Sequence, residues 1–333
     1  MRIVFLNKHE TFLSKRLKTN KVRLNYGKNL IIKLIMSIRR LDRIDGGCSD
    51  PDPYVVAKRL FEIVRSELLF HISSTGYLSR EERESLYRYY CRMLRKNPLR
   101  ESHYFAQRIK SVVKVLLYNN EQEISILDSG CGFGTESLVF ALLGGKVLGI
   151  DLNPERLAVA MKRVTYYKKL NPKLKVTFKL CNILKYECKS TFNIIYAKEF
   201  ISHVHPVSKF IDFAWKCLKP GGYLVIHDTN PLNPYCSYKA WRAHKHSLYK
   251  FVKDPETGEN IMYAVERLVP PFILKKLLRA NNFKTLSINY YGWIGPNLFL
   301  PLINSIETKL KVPITPLYEI VSMKSKSGNE IME

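Results

Sequence analysis

Ile126-Leu127-Asp128-Ser129-Gly130-Cys131-Gly132-Phe133-Gly134-Thr135-Glu136-Ser137 is the stretch on which the reading of this chain turns. The apolar run Ile124, Ile126, Leu127 predicts a strand closed by Asp128, the three glycines a tight loop, and a helical pattern begins at Thr135. Glycine lets backbone approach a ligand where a Cβ would clash, and it takes up positive φ without strain. A second short strand (Val147, Leu148, Ile150) ends on Asp151, about 20 residues beyond the loop, where a carboxylate can accept from ribose hydroxyls. Strand, glycine turn, helix, strand and acid together describe a nucleoside-binding unit.

The spacing narrows the choice of nucleoside. A dinucleotide loop places its third glycine three positions after the second, which here is Thr135. The chain instead has Asp128-x-Gly130-x-Gly132-x-Gly134. A carboxylate two residues before the first glycine repels a pyrophosphate and suits a ligand bearing an ammonium group.

In this form the loop resembles that of the class I S-adenosylmethionine-dependent methyltransferases, and the resemblance extends over roughly residues 100–325. Lys146 to Asp151 is similar to the family's second strand, with Asp151 as the ribose-binding acid and Leu152 beside it. Asn153-Pro154-Glu155 opens the next helix with an N-cap, a proline at the first helical position and an acid at the positive end of the dipole. Val176 to Asn182 resembles the third strand. Asn182 stands where the family has an adenine-binding Asp, with Ile183 next to it; its amide oxygen can accept the same bond without the charge. Phe192 to Glu199 resembles the fourth strand, and Leu218-Lys219-Pro220-Gly221-Gly222 the turn into the fifth, Tyr223 to Asp228. The resemblance implies an α/β fold: a Rossmann-like seven-stranded mixed sheet flanked by helices, its last strand antiparallel. S-adenosylmethionine is the implied cofactor, and Asp128, Gly130, Gly132, Gly134, Asp151, Leu152, Asn182, Ile183 and Glu199 the implied cofactor-binding residues.

The chain divides into a basic arm over 1–50, a helical cap over 51–120, a cofactor domain over 121–325 and a tail over 326–333. In the arm, Leu30 to Ile38 is readable as a short amphipathic helix, as part of a surface-binding or disordered arm, or as leader before an internal start at Met36. In the cap, Pro53 precedes a near-helical apolar series ending at Leu69. Ser79 and Glu82 form a capping-box pattern, and a third helix runs from about Ser102 to Leu117. The cap tyrosines, Tyr89 among them, read as core or helix-packing residues. Insertions at 231–263 and 293–315 flank the expected acceptor pocket; the first is aromatic and basic, the second an apolar lid helix. Strands are expected over Lys284–Tyr291 and Leu317–Lys324.

Composition bounds the rest. The 333 residues are 46% apolar, enough for one sizeable core, and no apolar run reaches the roughly 20 residues of a membrane span. Seven cysteines without C-x-x-C pairs point to a reducing cytoplasm rather than a disulfide framework, and Cys131 reads as loop packing. The formal charge of +25 invites nucleic-acid or anionic-membrane contact, against the plain alternative of solvated basic faces.

Methyl transfer from a sulfonium needs alignment above all, and a base only where the acceptor must lose a proton. Ligands of open α/β sheets lie beyond the carboxyl ends of the strands, so candidates follow the fourth strand (Glu199, Ser202, His203, His205) and the fifth (His227, Asp228, Thr229, Asn230). The family resemblance places Glu199 beside the cofactor near the methyl-transfer region, and His203 is the candidate general base. No histidine, cysteine or acid cluster has metal-ligand spacing. The Ala197-Lys198-Glu199-Phe200-Ile201-Ser202-His203 stretch lacks the Asn-Pro-Pro-Tyr-like loop of amino-group methylation, and its Glu-x-x-x-His run resembles the small-molecule and lipid-quinone branch. The expectation is a methyltransferase acting on a small or amphiphilic acceptor such as a lipid-linked, glycan or metabolite molecule. The alternative is an RNA methyltransferase or a non-catalytic basic nucleic-acid binder on the same fold.

Overall fold

The computed structural model describes residues 51–74, 77–94, 99–119, 123–244, 248–292 and 313–325. Three helices come first: α1 (Pro53–Ser73), α2 (Arg80–Tyr90) and α3 (Leu99–Tyr118). Strands and helices then alternate as β1 (Ser125–Ser129), α4 (Thr135–Leu142), β2 (Lys146–Asp151), α5 (Pro154–Leu170), β3 (Val176–Leu180), β4 (Phe192–Lys198), α6 (Val207–Cys217) and β5 (Leu218–Thr229). Then come α7 (Pro234–His244), the hairpin β6 (Tyr249–Lys253) and β7 (Asn260–Ala264), α8 (Pro271–Ala280), β8 (Phe283–Tyr291) and β9 (Leu317–Lys324). One-turn 3₁₀ helices at Ile183–Lys185 and Ile201–His203 follow β3 and β4.

The main sheet has seven strands in the order β3-β2-β1-β4-β5-β9-β8. The first five are parallel, and β9 runs antiparallel between β5 and β8. Strand order reverses between β1 and β4, which opens a crevice at their carboxyl ends. The hairpin is a separate two-stranded sheet.

Alternation along the strands builds the core on both faces. Ile126, Ile194, Tyr196 and Val225 pack under α1 to α5, while their neighbours Leu127, Ile195, Leu224 and Ile226 pack against α6 and α8. The cap thus shares one continuous apolar core with the sheet. The expected signals hold locally: Ser79 and Glu82 make both bonds of the capping box, and Asn153 Oδ1 accepts from Arg156 N at 2.9 Å.

Three expectations need adjusting. Cys188, before β4, and Cys217, ending α6, form a disulfide across a sequence separation of 29, where the sequence pointed to none. Neither has a pairing signal in the sequence, because only the pairing of β4 with β5, where Phe192 faces Leu218 and Thr191 N donates to Cys217 O, brings them together. The Leu218–Gly222 segment is the irregular start of β5 rather than a free turn: Leu218 pairs with Phe192 before the register shifts. The third helix begins at Leu99 and runs to Tyr118. The basic arm and most of the expected lid, 293–312, lie outside the described residues.

Candidate cofactor and acceptor site

A cavity of about 690 Å³ opens at the carboxyl ends of β1 to β4. Its floor is the glycine loop. Gly130 N and Cys131 N donate to Ile150 O at 2.8 and 3.0 Å, fastening the loop to β2. Gly132 N donates to Asp151 Oδ2 at 2.7 Å, and Asn153 N to Asp151 Oδ1 at 2.8 Å. Gly130 has φ +71°, and a Cβ there would stand 2.6 Å from the Phe200 ring. Gly132 has φ +53°, and a Cβ there would meet no atom within 4 Å, so its open side is left to a ligand.

Asp151, Leu152, Asn182, Ile183, Gly130, Gly132, Glu199 and His203 all line this cavity. Each Asp151 oxygen already accepts one backbone bond and retains a lone pair for a ribose hydroxyl. Asn182 Oδ1 accepts from Leu184 N at 3.0 Å, holding the 3₁₀ turn, and keeps capacity for one further donor. The residues therefore fit an adenosyl group.

Asp128 lies elsewhere. It is buried behind the loop, where Ser137 Oγ donates to Oδ2 at 2.5 Å, and it borders a small side cavity with Gly130. Burial, reinforced by Glu136, pushes its carboxyl up to about 7. Gly134 starts α4 at φ +74° and also faces away from the cavity; a Cβ there would stand 2.5 Å from Phe178. Burial raises the Cys131 thiol well above its usual range, in keeping with packing rather than nucleophilic use.

Beyond β4 the backbone turns sharply. Glu199 adopts φ +48°, rare for a residue with a Cβ, while its N–H donates to His227 O at 2.7 Å. That kink leads into the Ile201–His203 turn, which Asp228 secures by accepting from Ser202 N at 2.9 Å. His203 Nδ1 stands 3.3 Å from the Ala264 carbonyl, which can only accept; Nδ1 therefore carries the proton, leaving Nε2 as a free acceptor in the neutral ring. Burial lowers the His203 pKa, with the Ala264 bond opposing, so the neutral form prevails at pH 7. The ring stacks on Tyr263 of the hairpin at 5.3 Å between centroids.

Other lining residues carry no such signal in the sequence. Tyr89 shares the helix-packing pattern of the cap tyrosines, yet it lines the cavity with Arg156, whose guanidinium sits 5.4 Å from the Tyr89 ring centroid. Lys198, at the end of β4, pairs with Glu136 at 2.8 Å. Lys185 Nζ clasps the hairpin tip through Asp254 Oδ2 and Glu259 Oε2, each at 3.0 Å. His227 lies off the cavity, buried between the Tyr291 hydroxyl at 3.1 Å and Glu319 at 3.3 Å. Long-range pairings of this kind leave no mark in the local pattern. Among the described residues no group of three or more His, Cys, Asp or Glu is placed to hold a metal ion, and no helix is long and apolar enough to cross a membrane.

Comparison with known proteins bears on this geometry. Residues 120–269 match the family model described as a methyltransferase domain. A mitochondrial ubiquinone biosynthesis O-methyltransferase of Mus musculus is 32% identical over 111 residues, covering 32% of this chain and 29% of its own. The ubiquinone biosynthesis O-methyltransferase of Pelagibacter ubique is 33% identical over 109 residues, covering 33% of this chain and 43% of its own. The aligned part thus spans less than half the length of these relatives. A solved S-adenosylmethionine-dependent methyltransferase from Methanosarcina mazei is 25% identical, with a TM-score of 0.45, covering 64% of this chain and 98% of the other.

Proposed function

We propose that this chain, which belongs to the class I S-adenosylmethionine-dependent methyltransferases, transfers a methyl group to a hydroxyl of an amphiphilic acceptor. The observation that carries the reading is the continuous cavity joining the Asp151 and Asn182 end to Glu199 and His203. Bound there, S-adenosylmethionine supplies a methyl already activated on a sulfonium. Asp151 and Asn182 hold the ribose and adenine, and the loop at Gly132 gives the backbone's close approach. His203 Nε2 would accept the proton of an acceptor hydroxyl, freeing its oxygen for methylation. The hairpin excludes water from above. Oxygen as acceptor atom is supported by the O-methyltransferase names of the relatives.

The amphiphilic character rests on the mouth of the site. From Asn230 to Lys253 the chain contains no acidic residue, while Lys239, Arg242, Lys250 and Lys253 are all present. On the same stretch Tyr235, Tyr238, Trp241, Leu248 and Phe251 are exposed, and α7 buries no residue at all. Exposed aromatics flanked by cations suit an anionic amphiphile or the lipid interface that carries it.

Transfer of labelled methyl from S-adenosylmethionine to a long-chain alkylphenol in vesicles tests this reading. Faster transfer in phosphatidylglycerol than in phosphatidylcholine vesicles, and little to phenol in solution, is expected. Transfer confined to RNA, with binding that collapses between about 50 and 200 mM salt, would replace the acceptor with nucleic acid.

A further inference from the structure

The helical cap meets the glycine loop through a buried polar chain that the proposed chemistry does not use. Arg163 on α5 is 1% exposed and Glu67 on α1 is 0% exposed. The Arg163 guanidinium donates from Nε to Glu67 Oε1 at 2.7 Å and from Nη2 to Oε2 at 2.6 Å. Its Nη1 turns the other way and donates to Phe133 O at 2.6 Å and to Thr135 Oγ1 at 2.9 Å. Thr135 in turn donates to the Tyr90 hydroxyl at 2.7 Å, from α2. Two cap helices, separated in sequence from the loop by 45 or more residues, thus converge on the residues either side of Gly134.

A fully desolvated charge is costly unless paired and hydrogen-bonded. Here the guanidinium spends two of its donors on the loop itself, at one backbone carbonyl and one hydroxyl. The Phe133 ring is fixed as well, 5.4 Å from Tyr89 and 6.0 Å from Tyr90. Directly before Phe133 stands Gly132, the point where the loop opens to the ligand. A carbonyl and ring held on one side of that residue, with the Asp151 bond on the other, leave the loop little freedom. Binding then costs less ordering entropy.

We infer that Tyr90, Thr135 and the Glu67–Arg163 pair are positioning residues for cofactor binding, through which the cap sets the shape of the glycine loop. This rests on the cofactor reading above. None of the four lines the main cavity, so their effect passes through the loop.

Calorimetric titration with S-adenosylhomocysteine tests it on wild type, Tyr90→Phe, Thr135→Val and Thr135→Ser, with Ile211→Val as a control. Ile211 is buried in the core on the other face of the sheet and should lower Tm by a similar amount. Expected is a roughly five- to tenfold weaker Kd in Tyr90→Phe and Thr135→Val, with wild-type affinity kept by Thr135→Ser and by the control. Faster hydrogen exchange at the loop amides should accompany the weaker binding in the first two variants only. Equal affinity in all five proteins, or an equal loss in the control, overturns the inference and leaves the cofactor reading intact. Absence of binding by wild type overturns the cofactor reading itself, and the inference with it.

Discussion

The two ends of the cavity are built in opposite ways. The Asp151 and Asn182 end comes from one contiguous stretch, β1 through the turn after β3, and backbone N–H groups of that same stretch hold it: Gly130 N donates to Ile150 O across β1 and β2, Gly132 N to the Asp151 carboxylate, and Leu184 N to the Asn182 amide oxygen two residues away. The acceptor end is assembled from the turn after β4, the end of β5, a hairpin and a cap helix, joined by side chains. His203 meets Ala264 and Tyr263 some 60 positions away, and Lys185 holds the hairpin tip across a separation of 74 in the chain. On the function proposed above, the site for the common cofactor is written in local geometry, and the site for the acceptor is placed on inserted segments that the sheet supports.

Substitutions can sharpen that contrast. His203→Gln should cut methyl transfer about a hundred- to thousandfold, the usual worth of a positioned base, while cofactor affinity stays at the wild-type value. Turnover and calorimetry on the same preparation check this, and normal turnover would reduce His203 to a hairpin prop. Asp151→Ala should act on the other end alone. It removes the proposed ribose acceptor together with the bonds from Gly132 N in the loop and Asn153 N beyond β2, so cofactor Kd should rise about a hundredfold. Retained binding would place the ribose elsewhere.

Smaller effects probe the joints between the two ends. Lys185→Ala frees the hairpin tip from Asp254 and Glu259. Because Lys185 itself stays about half exposed in both pairs, which keeps their worth small, S-adenosylhomocysteine release should quicken only about threefold, measurable by stopped-flow displacement. An unchanged rate would mean that the hairpin does not gate the cofactor. Asp128 offers a test by pH. Its folded pKa of about 7 stands above the ordinary 3.8, so the folded state binds more protons between roughly pH 4 and 7. Stability from this group therefore falls as pH rises through that window. Asp128→Asn, which cannot ionise, should lose a few degrees less in Tm than wild type between pH 5 and 8. Glu319 has the opposite sign: burial would raise it, but His227 and its hydrogen bonds bring it down to about 2, so its contribution is lost only as pH drops below the ordinary carboxylate range.

Much of the nucleoside end was legible in the sequence because glycine positions, strand endings and Asn153-Pro154 act through neighbours a few residues away. The seven strands and the antiparallel last strand followed from the family resemblance and stand in the structure, with β9 inserted between β5 and β8. Asp151 and Asn182 line the cavity, whereas Asp128, two residues before the loop, turns inward to Ser137. Strand alternation explains that: Leu127 and Asp128 point to opposite faces, and the loop leaves from the backbone beyond them. The Cys188–Cys217 bond, Arg163 beneath the loop and Tyr89 at the rim were hidden for a different reason. Each depends on two segments meeting through tertiary packing, and neither segment carries a periodic or turn signal of the encounter.

The central claim is that the cavity at the carboxyl ends of β1 to β4 holds an adenosyl cofactor. Calorimetric titration of the whole chain with S-adenosylhomocysteine measures it directly. The account predicts saturable binding of one equivalent with a Kd in the micromolar range, as expected for a preformed loop site of this size. No heat of binding from folded protein, at ligand concentrations up to about a millimolar, would contradict it.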